Sequence, residues 1–92
     1  MSKYRKKPVV IEAVQFDGTR EGQQQVEQFI GGVVGSTQVG DTLTLWIETL
    51  EGGHVASPCD WIIRGVKGEF YPCKPDIFAS TYEAINEEAE AP

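Results

Sequence analysis

Residues 42–50 read TLTLWIETL. Leu43, Leu45 and Ile47 fall on one side of an extended chain, and Thr42, Thr44, Trp46 and Glu48 fall on the other. A period of two is that of a half-buried strand. This stretch therefore predicts a strand with an apolar inner face and a tryptophan on its polar face. Toward the carboxyl end, Glu51-Gly52-Gly53-His54 reads as a turn, and Val55-Ala56 as the start of another strand. Toward the amino end, residues 8–16 (PVVIEAVQF) are rich in β-branched residues and stop at the turn signal Asp17-Gly18. Apolar groups occur on both faces of that segment, as expected of a covered strand.

Between these two strands, Thr19 or Asp17 is placed to cap a helix over residues 20–30. Val26, Phe29 and Ile30 form its apolar stripe, and Gly31-Gly32 ends it by offering a left-handed conformation at no steric cost. Farther on, Pro58-Cys59-Asp60 reads as a turn into the strand Trp61-Ile62-Ile63-Arg64. A loop at residues 65–68 then leads into Glu69-Phe70-Tyr71-Pro72-Cys73. Pro72 cannot donate to a ladder, so it predicts an edge strand. Pro75 suits a first helical turn, with Asp76 to Ser80 as one short turn. Residues 81–85 fit either a strand or a continuation of that turn. The sum is an α+β domain over residues 1–85: a small, mainly antiparallel sheet of four to six strands with one packed helix. A partly closed, SH3-like barrel is also compatible. Residues 86–92 (NEEAEAP) read as a disordered acidic tail.

Ninety-two residues, 40% of them hydrophobic, suffice for one modest core. The net charge is −6 and unevenly spread. Lys3, Arg5, Lys6 and Lys7 crowd the amino end, whereas only Arg20, Arg64, Lys67 and Lys74 face all fourteen acids in the rest. An acidic body repels a phosphate backbone, which argues against broad nucleic-acid binding. No apolar run approaches the roughly 20 residues needed to span a bilayer. The charged amino end has no apolar stretch of the secretory kind, so a reducing cytosol is the expected setting for Cys59 and Cys73.

Two segments, read together, carry a resemblance. Residues 6–16 (KKPVVIEAVQF) and residues 60–78 (DWIIRGVKGEFYPCKPDIF), followed by Thr81-Tyr82-Glu83, resemble a family of small, mostly uncharacterised proteins of tailed bacteriophages and prophages. The resemblance implies a phage accessory protein acting in the host cytoplasm, with a role in countering host defence. It carries no reaction and no catalytic residues. The family's usual turn before the tryptophan strand is Pro-Gly-Asp, and here Cys59 stands in the glycine position.

Several groups bear on chemistry. Cys59, Asp60 and His54 contain the side-chain types of a thiol nucleophile with a base and an orienter, although nearness in sequence is not triad geometry. Cys59, Cys73 and His54 lack the paired spacing of a zinc site. If the hairpin closes at Val66-Lys67, Cys59 and Cys73 fall across from each other at its open end. No phosphate-loop or dinucleotide motif is present, and no cofactor is expected. The remaining group is Trp46, Arg64, Tyr71 and Lys67. Rings beside a guanidinium can stack a base and hold a phosphate, or anchor a protein interface. The ordinary alternative is a tryptophan covering a small core.

Three functions follow. The first is non-enzymatic: occupying a host protein, or sequestering a small nucleotide signal, the latter calling for a homodimer to enclose the ligand. The second is a structural or virion-associated interaction module that adds strands through an exposed edge. The third, more remote, is a thiol-dependent hydrolase using Cys59.

Overall fold

The computed structural model describes residues 1–4 and 9–85. The expected acidic tail lies outside the described residues, as does most of the basic amino end. The elements run β1 (Glu12–Gln15), α1 (Arg20–Ile30), β2 (Gly35–Val39), β3 (Thr42–Thr49), β4 (Gly52–Ala56), β5 (Trp61–Arg64), β6 (Phe70–Cys73) and α2 (Pro75–Thr81).

The strands form two three-stranded antiparallel sheets, ordered β1-β5-β6 and β2-β3-β4. This corrects the expectation of a single sheet with one helix. Neither sheet curls into an SH3-like barrel, and two separate helices are present. Alternation in a strand assigns its faces but not its neighbours, which is why one sheet and two could not be told apart from the pattern.

The core lies between the sheets. Leu43, Leu45 and Ile47 of β3 meet Ile62 of β5, together with Phe16, Val34 and Ala56. The helix α1 closes one side with Val26, and Phe29 and Ile30 pack on the rim. The helix starts as its sequence dictates: the Thr19 hydroxyl accepts from the Gly22 amide at 2.9 Å, and the Asp17 carboxylate in turn holds Thr19. It ends at Gly31, whose φ of 85° turns the chain so that the next amide, that of Gly32, reaches back to the Glu27 carbonyl at 3.2 Å. One buried polar residue ties the helix to the second sheet. The Gln23 amide donates to the Val34 carbonyl at 2.9 Å, and Glu27 accepts from the Val34 amide.

Several local expectations need adjusting. The first strand is four residues long, not nine. His54 stands in β4 opposite Ile47, not in a turn. β2 had no sequence signal at all, since all five of its residues are exposed. α2 spans seven residues, and residues 82–85 are neither helix nor strand. In the β5–β6 hairpin Trp61 pairs with Cys73, one step from the expected register, so Cys73 does not face Cys59; both thiols are free.

Candidate functional site

The register of the first sheet separates its two faces. Glu12, Arg64 and Phe70 lie in one row, and Val14, Ile62 and Pro72 in the next row of the same face. That face looks into the core. Ala13, Ile63 and Tyr71, with Gln15, Trp61 and Cys73, point the other way. Arg64 and Tyr71 are therefore on opposite faces of one sheet.

Arg64 is already engaged. Its guanidinium donates to Glu12 Oε1 at 2.9 Å and to the Phe29 carbonyl at 3.0 Å, and it lies over the rings of Phe29 and Phe70 at 5.2 and 5.4 Å. Phe29 sits in the last turn of α1, where carbonyls lack helical partners and a cation is favoured. The helix carries no basic residue of its own there. Arg64 thus straps β5 to the end of α1.

Trp46 stands on the outer face of the other sheet, 50% exposed. Its indole N–H donates to Glu48 Oε1 at 2.8 Å, and its six-membered ring lies across Gly53, where any Cβ would overlap it. Lys67 is exposed in the β5–β6 loop, where Glu69 Oε1 approaches its backbone amide at 3.4 Å. The fold thus distributes Trp46, Arg64 and Tyr71 over three different surfaces rather than gathering them in one concavity.

What the fold does gather is a groove of about 1250 Å³ on the outer side of the first sheet. Its floor includes Ala13, Trp61 and Tyr71; its walls are Val9 to Ile11, the β5–β6 loop at Val66, α2 at Phe78, and residues 82–85. Trp61 and Phe78 stack at 4.2 Å, nearly parallel, and Phe78 leans on Tyr82 at 5.2 Å. That stack is how α2 is held against the sheet. Val10 and Val66 stand more than 70% exposed at the rim. Among the described residues the lining carries the carboxylates of Glu69 and Glu83 and no lysine or arginine; Glu12 also borders the groove, but its carboxylate is paired with Arg64 on the opposite face. Burial, the Tyr82 hydroxyl and the negative charges of nearby groups push the Tyr71 phenol up to about 12, so it stays neutral in the groove. The sequence clue to this site is Pro75, which starts α2 and sets Phe78 three residues on, but a helical turn alone does not indicate the stack with Trp61.

The thiol–imidazole–carboxylate group does not form a triad. Asp60 is buried, and its Oδ2 accepts both the Ser57 amide and the Lys74 ammonium at 2.9 Å. Cys59 is exposed in its turn at a φ of 77°. Its amide donates to the Phe16 carbonyl at 2.7 Å, and its own carbonyl accepts from Gln15. The chain keeps the left-handed turn conformation without the glycine. His54 borders a smaller cavity of about 380 Å³ with Glu51, Glu69 and Tyr71. Burial and the nearby Asp60 and Asp76 push the Cys73 thiol up, which keeps it protonated and weakly nucleophilic. Among the described residues no three His, Cys, Asp or Glu side chains are grouped to hold a metal ion, and no helix is long and apolar enough to cross a membrane.

The chain matches no protein-family model, no curated protein and no solved structure.

Proposed function

We propose that this chain is a non-enzymatic binding protein that works by occupying another protein through the groove outside the first sheet. The observation that carries this reading is the groove's lining: exposed valines and stacked rings, with carboxylates and, among the described residues, no cation. Such a surface fits an apolar segment flanked by lysine or arginine, because apolar burial supplies affinity and complementary charge supplies orientation and approach rate. It disfavours a nucleotide, whose phosphates would meet carboxylates, while the Arg64 guanidinium is committed to Glu12 and the Phe29 carbonyl. With the phage resemblance, the occupant is a host protein, the setting the host cytoplasm and the role counter-defence.

The test is capture from host lysate by the full chain and by Val10→Asp and Val66→Asp variants, with mass spectrometry of what co-elutes. A basic-segment partner retained by the parent chain and lost by both variants is the expected result. Equal capture by all three, or a thermal shift with cyclic or linear nucleotides, would overturn it. The structural or virion-associated reading predicts instead that the chain is found in purified particles.

A further inference from the structure

From Gln28 to Gly40 the sequence carries no charged residue, the longest such run in a chain of net charge −6. This run contains β2, which is GSTQV and an edge strand of its sheet. Natural edges are usually guarded by charge, proline or a bulge against pairing with another chain. β2 has no charge and no proline, and pairs with β3 in unbroken register.

Its geometry is set from both ends. Val34 is held to α1 by Gln23 and Glu27. At the other end a two-residue turn begins at Gly40, whose φ is 62°, and joins Val39 to Thr42 as the closing pair. Turns of this length make that pair hydrogen-bonded, so alternation directs the backbone groups of Gly35, Thr37 and Val39 toward β3. The N–H and C=O groups of Ser36 and Gln38 then face outward, and no hydrogen bond from a described residue reaches them.

We infer that β2 pairs antiparallel with β2 of a second copy of this chain, across a two-fold axis at Thr37, joining the two sheets into one of six strands. The edge is self-complementary. Ser36 of each copy exchanges hydrogen bonds with Gln38 of the other, and Thr37 meets Thr37, a favourable cross-strand pair. Side-chain volumes fit as well. Val39 is 59% exposed on the same face as Trp46 and falls opposite Gly35 of the other copy, where the missing side chain leaves room beside the Trp46 Cβ. Two acidic molecules repel each other over most of their surface, and this neutral strand is where contact is least opposed. The surface is separate from the groove, so the two proposals stand or fall independently.

Sedimentation equilibrium of the full chain, from micromolar to millimolar, tests this. The expected result is a concentration-dependent rise from the 10.1 kDa monomer toward twice that mass. Thr37→Glu and Thr37→Lys each set like charges face to face on an exposed side of the sheet and should each be monomeric with unchanged circular dichroism. An equimolar mixture of the two should regain the dimer. Ser36→Pro, which removes an outward amide only, should weaken association as well. A parent chain that stays monomeric throughout, or a dimer that survives both Thr37 substitutions, or a mixture that fails to associate, would overturn the inference.

Discussion

Cys59 concentrates a cost in one residue. A non-glycine side chain in the left-handed region costs about 1–2 kcal/mol, and Cys59 holds a φ of 77° while the residue is exposed. Cys59→Gly removes that strain at the expense of a more flexible unfolded chain, about 0.5–1 kcal/mol. The net expectation is a gain of roughly 0.5–1 kcal/mol in urea unfolding, with Cys59→Val moving stability the opposite way. A Gly variant no more stable than the parent would show that the turn carries no strain. Arg64 represents the opposite case, one side chain satisfying several needs. Arg64→Met gives up a charged hydrogen bond to a helix-end carbonyl and two cation–ring contacts, together about 2 kcal/mol; the exposed pair with Glu12 adds little. Arg64→Lys should recover less than half, because an ammonium cannot reach both partners with a planar fork. If lysine restores full stability in the same urea titration, simple charge is what matters at this position.

Among the elements, legibility followed burial. β3 and α1 were readable because each buries one face and writes that face as a period of two or of 3.6. Leu43, Leu45, Ile47 and Val26 are buried as that period requires. β2 buries none of its residues, so Gly-Ser-Thr-Gln-Val left no pattern to read. The proposed aromatic–arginine group failed to assemble for a related reason. Faces could be assigned within β5 and β6, but Trp46 belongs to a different sheet, and pairing between distant strands is not written in local alternation. α2 was half-legible: Pro75 gave its start, whereas its end at Thr81 depends on the Trp61–Phe78 stack. With no side-chain cap and no buried residue, this seven-residue helix is too short to persist unaided. Phe78→Ala should therefore release it, at about 2 kcal/mol for a half-buried ring. Amide exchange should rise across residues 75–81 and leave the β3 amides unchanged. An unaltered exchange pattern in α2 would mean that something other than the stack holds the helix.

At the scale of the molecule, an acidic chain with a neutral phenol over its outer sheet has a stability profile that depends on pH from both sides. On the acid side, hydrogen bonds from the Thr19 hydroxyl and amide hold the Asp17 carboxyl below its ordinary value. A lowered value means that the folded state binds this proton more weakly than the unfolded one. Its contribution is present above the ordinary carboxylate range and is lost as pH falls through the lowered value. On the alkaline side the sign reverses. Tyr71 is raised from 10.0 to about 12, chiefly by burial, so the folded state binds its proton more tightly. That contribution is intact below pH 10 and disappears as pH climbs toward 12. Tyr71→Phe has no proton to lose and should cost under about 1 kcal/mol at neutral pH. Between pH 10 and 12 it should lose less stability than the parent chain, so the two urea midpoints converge. The near-ultraviolet absorbance of phenolate, followed in the folded parent, should show one tyrosine ionising late, and that late step should be missing from the variant. Parallel midpoint curves across the alkaline range, or a late step that persists without Tyr71, would mean that the groove does not hold this phenol neutral. The apolar character assigned to the groove floor would then be wrong as well.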